Sequence, residues 1–105
     1  MVRKRMKYDK LVRDRIPEII RKEGRDPVIH TARKKEYMKK LKEKLIEESR
    51  EFQKSGRKEE LADILEVINA VAKAKKTNLK EIERIRKKKQ KQKGAFKNKT
   101  ILETD

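Results

Sequence analysis

Apolar residues recur at helical spacing through the middle of the chain. A stripe with steps of three, four and seven residues predicts a helix over residues 33–53. Its members are Met38, Leu41, Leu45 and Phe52. A second stripe predicts a helix over residues 58–75, and its members are Leu61, Ile64, Leu65, Ile68, Val71 and Ala72. Because only a short turn at Ser55-Gly56 separates the two helices, they are expected to pack antiparallel as a hairpin.

Two further helices are predicted on either side of this hairpin. Pro17 suits the first turn of a helix, which predicts a short helix over residues 17–22. Thr77 or Asn78 is placed to cap another helix that runs to about Lys93. Beyond Arg86 the positions of this helix are nearly all basic or Gln, so its apolar face is narrow.

Two short patches favour β structure. Residues 28–31 and residues 100–102 are rich in β-branched side chains and are predicted to pair as a small β-hairpin. The predicted fold class is therefore all-α, an antiparallel helix bundle with this small hairpin attached. At 105 residues the chain has room for a single domain, which is predicted to cover residues 1–105.

Composition adds a thin core and a strong positive charge to this picture. Only 33% of the residues are apolar, so a homodimer or larger homo-oligomer is expected to add stability. The chain lacks Cys, the basic N-terminus is not followed by the apolar stretch of a secretory signal, and no apolar run could span a membrane. We therefore expect a cytoplasmic protein without a membrane partner. The net charge of +16 reflects either a solvated surface or an affinity for anions.

Four acids flank the predicted turn in two pairs of equal spacing. Glu48 and Glu51 are three residues apart on one helix, and Glu60 and Asp63 are three apart on the next. This spacing places both carboxylates of a pair on one helix face. Carboxylates that meet across a hairpin repel each other and are costly to bury unpaired, and a cation between them offsets both effects. The pattern predicts a Mg²⁺ site, with Mn²⁺ as a substitute, because Mg²⁺ prefers carboxylate oxygens and also binds substrate phosphates.

A simpler interpretation of the same acids stays open. Half of the residues are charged, so acids at this spacing also arise without a metal. Glu48 would then pair with a Lys of a neighbouring helix, and the chain would be a structural helical bundle held by salt bridges.

Three segments of the chain resemble a known enzyme family. EESRE at 47–51 followed by ELAD at 60–63 looks like the EExxE…ExxD signature of the MazG-like, all-α nucleoside triphosphate pyrophosphohydrolases. KLVRDRIPEII at 10–20, ELADILEVI at 60–68 and KGAFKNKTILE at 93–103 look like its phosphoribosyl-ATP pyrophosphohydrolase-like, house-cleaning branch. The resemblance covers about residues 8 to 103.

The resemblance implies Mg²⁺-dependent cleavage of a nucleoside triphosphate between its α and β phosphates, which gives a nucleoside monophosphate and pyrophosphate. It implies a dimer or larger assembly. By position, Glu48, Glu51, Glu60 and Asp63 become the metal ligands and catalytic residues. Glu47 matches the first acid of the signature, with a catalytic role toward water or in an outer contact.

Basic residues of two segments are the candidates for binding the phosphates, because Lys and Arg stabilise the charge of a leaving pyrophosphate. The predicted substrate-binding residues are Lys10, Arg13, Arg15, Lys87, Lys91, Lys93 and Phe96, the last of which would order the nucleotide. A nucleic-acid-binding protein is the main alternative. Residues 84–99 contain nine basic side chains and no acidic one, which suits contacts to a phosphate backbone.

Overall fold

The computed structural model describes residues 7–105, and the described part is all-α. Its helices are α1 (Ile16–Lys22), α2 (Lys34–Ser55), α3 (Lys58–Ala74) and α4 (Leu79–Lys93). The predicted fold class and the predicted helices are confirmed. Residues 1–6 lie outside the described part. Two predictions concern these residues, the absence of a secretory signal and the start of the domain, and both therefore fall outside it as well.

The centre of the fold is the pair formed by α2 and α3. Gly56 ends α2 with a left-handed conformation at φ 65°, and its N–H donates to the Phe52 carbonyl at 2.8 Å. A residue without a Cβ adopts this conformation without strain, so α3 can begin at Lys58 and pack back onto α2. Leu41 of α2 is the most deeply buried apolar residue described, with 1% of its surface exposed.

The face that α3 turns toward α2 differs from the predicted stripe. Val67 and Ala72 are buried, whereas Leu61 and Leu65 are about half exposed. The side of α3 that faces α2 therefore lies closer to Val67 and Glu60 than the predicted stripe does. As a result, Glu60 is buried.

The predicted β-hairpin is wrong. No strand is present among residues 7–105, and both patches have irregular backbone. Val28 and Ile101 are each more than four-fifths exposed. A short β-prone segment gains little without a partner strand and a buried face, and neither patch has them. His30, within the first patch, instead contacts the Glu36 carboxylate of α2, with 2.9 Å between Nε2 and Oε1.

Helix α4 begins with a side-chain cap and then leaves the packed region. The Asn78 carboxamide oxygen accepts from the Glu81 N–H at 2.9 Å. Every residue from Ile82 to Asp105 is exposed. The radius of gyration is 18.3 Å, against about 13 Å for a compact chain of this length.

None of the helices in residues 7–105 combines the length and apolar character required to cross a membrane.

Candidate metal centre

Three of the predicted acids converge where α2 meets the start of α3. One carboxylate oxygen from each of Glu48, Glu60 and Asp63 lies within 4.8 Å of the other two. Glu60 is 9% exposed as a residue, and the Glu48 side chain is 15% exposed. Asp63 lies at the edge, with a side chain that is 40% exposed. The cluster is therefore half-buried and open to solvent on the Asp63 side.

The turn at Gly56 is what brings these acids together. Glu48 lies two helical turns before the end of α2, and Glu60 lies in the first turn of α3. A carboxylate near a helix N-terminus interacts favourably with the helix dipole and its free N–H groups. Asp63 follows Glu60 by three residues and therefore shares its face. A tight hairpin alone is enough to juxtapose two acids of α3 with one of α2.

Glu51, the fourth predicted ligand, is not part of this group. It lies on α2 close to the turn, is exposed, and makes no ion pair with any described residue. Helical phase explains its position, because Glu51 is about 60° further from Leu41 around α2 than Glu48 is. Its role as a ligand stays a prediction.

Each converging acid also has a basic neighbour. Lys44 Nζ is 3.5 Å from Glu48 Oε1, and an Arg57 guanidinium nitrogen is 3.4 Å from Glu60 Oε1. An Arg13 guanidinium nitrogen donates to Asp63 Oδ1 at 2.9 Å. These bases offset the repulsion among the three carboxylates. Salt bridges were also the expectation for a purely structural bundle, but that expectation paired Glu48 with a Lys of a neighbouring helix, and Lys44 lies on α2 itself.

The segment before α1 covers the acid cluster from one side. Lys10 Nζ donates to Glu47 Oε1 at 3.0 Å, and Arg13 reaches Asp63. Lys10 also lies 5.5 Å from the centre of the Tyr8 ring, a cation–π contact. Two of the predicted phosphate-binding residues are thus held beside the acids by ion pairs.

Glu47, which precedes the converging Glu48 on α2, is half-buried. Partial burial acts to raise the pKa of Glu47, but the hydrogen bond from Lys10 and the charges of Lys44 and Lys10 outweigh it and leave the pKa below its ordinary value. Lys44 Nζ is 3.6 Å from Glu47 Oε2, so one lysine links Glu47 to Glu48.

The other predicted substrate-binding residues are not brought to the cluster. Arg15 pairs with Glu18 at 3.4 Å within the N-terminal region. Lys87, Lys91 and Lys93 are exposed and make no hydrogen bond or ion pair with the three acids. Phe96 is 99% exposed. Their roles stay predictions.

Lys44 and Arg57 are site neighbours that the sequence-based predictions did not include. The signal was present, because Lys44 precedes Glu48 by four residues and Arg57 precedes Glu60 by three, which are the spacings of helical ion pairs. In a chain with 34 Lys and Arg residues, that signal recurs too often to select these two.

The donor set suits a hard divalent cation. All three converging side chains offer carboxylate oxygens, the ligands that Mg²⁺ prefers, and the open side leaves room for the waters it usually retains. Oxygens on opposite sides of Mg²⁺ lie about 4.2 Å apart. Adjacent oxygens around Mg²⁺ lie about 2.9 Å apart, so the three carboxylates, which are separated by up to 4.8 Å, would have to move toward one another to bind one ion.

Comparison with known proteins leaves the family open. No family model matches the chain, and no solved structure matches it. It is similar to an uncharacterized protein of Mycolicibacterium smegmatis, with 57% identity over 42 residues. The match covers 40% of this chain and 43% of that protein, so it spans less than half of either.

Proposed function

We propose that the chain is a Mg²⁺-dependent nucleoside triphosphate pyrophosphohydrolase that cleaves between the α and β phosphates. The observation that carries the proposal is the convergence of Glu48, Glu60 and Asp63 within 4.8 Å of one another. These are three of the positions at which the chain resembles the MazG-like signature. Converging carboxylates repel one another, and a bound cation would offset the part of that cost that the neighbouring bases do not.

The three carboxylates would hold the ion, and neighbouring bases would hold the substrate. When bound, Mg²⁺ supplies positive charge to the phosphate oxygens and lowers the pKa of a coordinated water. Arg13 uses one of its N–H groups on Asp63, which leaves further donors of the guanidinium for a phosphate oxygen. Lys10, fixed by Glu47, adds a second positive charge on the same side.

Glu47 is the proposed proton acceptor or water-orienting group. The lowered pKa makes the Glu47 carboxylate a weaker base, which favours orienting a water through an accepted hydrogen bond over removing its proton. The contact with Lys44, which also reaches Glu48, fixes the side chain beside the metal ligands.

The test is pyrophosphate release from a panel of nucleoside triphosphates, canonical and damaged, and from phosphoribosyl-ATP, with Mg²⁺ or with EDTA. We expect release from at least one substrate with Mg²⁺ and none with EDTA. Glu60→Gln and Asp63→Asn should each lower the rate by about 100-fold or more, since each removes a ligand charge. Absence of turnover with every substrate would contradict the proposal.

Glu59→Gln is the matched control, because it removes the same charge from an exposed residue next to Glu60. It should leave the rate within about twofold, as expected for a surface carboxylate away from the reaction. Glu51→Gln separates a site of three carboxylates from a site of four. A large loss of rate would add Glu51 to the ligands, and an unchanged rate would leave it outside.

We also propose that two copies of the chain associate through the exposed side of α3. Leu61 and Leu65 are 49% and 54% exposed and lie one turn apart, and few apolar residues are fully buried. A second copy seated there would cover apolar surface that α2 leaves open. Light scattering should show a dimer at micromolar concentration, and Leu65→Glu should convert it to a monomer. A monomeric unaltered chain would contradict this proposal.

A further inference from the structure

Helix α4 presents a charged surface that the proposed reaction does not require. Three lysines, Lys87, Lys88 and Lys91, lie on one side of the helix at spacings of one, three and four residues, and we call them the basic stripe. All three are exposed and none makes an ion pair with any residue in 7–105. The hydrogen bond from Arg86 and the charge of Arg86 lower the pKa of Glu83, and the charge of Lys87 makes a smaller contribution in the same direction.

The basic stripe contrasts with the first half of the same helix. There, Arg84 pairs with Glu81 at 2.6 Å and Arg86 pairs with Glu83. After Arg86 the sequence of α4 is KKKQKQK, without a single acid. Lys91 lies four residues after Lys87 and three residues after Lys88. In each pair the two positive charges repel each other, which destabilises the helix slightly.

This half of α4 also lacks the packing that normally stabilises a helix. It contains no apolar side chain, and the last two of α4, Ile82 and Ile85, come before it and are more than a third exposed. A helix that is polar all round and has no favourable ion pairs gains little from its surroundings. A polyanion seated on the basic stripe would remove the repulsion and so stabilise the helix.

We propose that the basic stripe binds the phosphate backbone of double-stranded nucleic acid, without reading its sequence. The stripe spans four residues, or about 6 Å along the helix axis. An α-helix with side chains is about 10–12 Å wide and fits the major groove or lies along its edge. Lysines are strong phosphate ligands, and each ammonium group is a point charge on a flexible stem that lacks the rigid planar fork of Arg.

Other polyanions fit the surface less well. An amphipathic helix binds a lipid surface strongly when its apolar side chains enter the membrane as well, and α4 has none after Ile85. Single strands are bound largely by stacking on aromatic rings, and α4 has no aromatic residue. An acidic protein partner would be expected to use an apolar or aromatic anchor, which the stripe also lacks. The inference does not rest on the proposed hydrolysis.

Fluorescence anisotropy with a labelled duplex of about 20 base pairs tests the proposal, in EDTA and at NaCl concentrations between 50 and 200 mM. The logarithm of the binding constant should fall with the logarithm of salt with a slope of about −2.7 or steeper, the value for three phosphate contacts. The variant K87Q/K88Q/K91Q should bind about tenfold more weakly or worse at low salt and reduce the slope by about 2.7. An unchanged affinity in this variant would overturn the proposal.

The matched control is K35Q/K39Q/K42Q, which removes the same charge from exposed lysines of α2 that make no ion pair among the described residues. It should retain most of the affinity. Equal losses in the two triple variants would show that net charge alone drives binding, and this result would overturn the proposal. So would binding to phosphatidylserine vesicles in the absence of binding to the duplex.

Two further variants keep the outcome decisive. If K87Q/K88Q/K91Q fails to fold by circular dichroism, Lys88→Gln alone should reduce the salt slope by about 0.9. The variant E60Q/D63N removes two acids of the candidate metal centre and should bind the duplex at least as tightly as the unaltered chain. Loss of duplex binding in E60Q/D63N would place the contact at the acid cluster and overturn the proposal.

Discussion

The α2–α3 hairpin and the second half of α4 are both rich in charged residues, but they differ in whether those charges are paired with opposite charges. In the hairpin, acids and bases alternate, and Glu48, Glu60 and Asp63 each have a basic neighbour within 4 Å. In α4 after Arg86, the lysines have no acid among them and all are exposed. The hairpin can therefore bury a carboxylate as deeply as Glu60, and α4 keeps its charge in solvent.

This difference shows that net charge says little about where a basic protein uses its charge. The total of +16 is carried unevenly along the chain. The region with the most acids contains the most deeply buried charge, which is a feature of candidate functional sites. The region with the fewest acids contains the surface best suited to a polyanion.

The largest expected difference between the two regions is in packing. Leu41 is 1% exposed between α2 and α3, so Leu41→Ala should lower the free energy of unfolding by about 2–5 kcal/mol. Ile85→Ala removes a side chain of α4 that is 40% exposed and should cost less than about 1 kcal/mol. Urea denaturation measures both. Equal costs at the two positions would mean that α4 is packed as firmly as the hairpin.

A smaller effect is expected at the turn that joins α2 to α3. Gly56 has φ 65°, and a Cβ at this position would meet no atom within 4 Å, so the cost of Gly56→Ala comes from the backbone conformation. We expect a loss of about 1–2 kcal/mol in the free energy of unfolding. Gly56→Asn is the matched variant, because Asn tolerates left-handed backbone better, and it should cost less. The expectation fails if Gly56→Ala is as stable as the unaltered chain.

The smallest of these effects is a dependence of stability on pH through Glu47. Its pKa in the folded chain is below the ordinary value of 4.5. The unfolded chain therefore binds more protons near that pH, and the folded state gains stability as the pH rises. The contribution is complete above pH about 4.5 and is lost as the pH falls through the lower, folded pKa.

Urea midpoints between pH 7 and pH 3 measure this contribution. Glu47→Gln should lose less stability over that range than the unaltered chain, because the ionised group that gains from Lys10 and Lys44 is gone. Glu59→Gln, which removes an exposed carboxylate, should follow the unaltered chain. Identical pH profiles for all three proteins would show that the Lys10 contact does not stabilise the fold.

Local signals were sufficient for most of the fold. The helices, the glycine that ends α2 and the Asn78 cap depend on residues within a few positions of each other, and the sequence predicted them. The β-hairpin prediction failed because propensity at residues 28–31 and 100–102 cannot reveal that no partner strand is adjacent. The exposure of Leu61 and Leu65 depends on which side of α3 faces α2, and a helical period alone does not determine this.

In the candidate site, too, local sequence patterns predicted some features, and contacts between distant segments were missed. The spacing paired Glu48 with Glu51 and Glu60 with Asp63, and the structure brings three of these four acids together, without Glu51. Lys10, which donates a hydrogen bond to Glu47, is 37 residues away in sequence. The sequence pattern around Glu47 therefore could not indicate this contact. Contacts between distant segments are set by the packing of the whole chain.

Binding of Mn²⁺, followed by electron paramagnetic resonance, tests the central claim most directly, because it requires neither a substrate nor turnover. The unaltered chain should bind Mn²⁺, and Mg²⁺ should displace it. Asp63→Asn and Glu60→Gln should each weaken binding by about tenfold or more through the loss of one charged ligand, and Glu59→Gln should bind as the unaltered chain does. If Asp63→Asn and Glu60→Gln bind Mn²⁺ as well as Glu59→Gln, the converging carboxylates are not a metal centre.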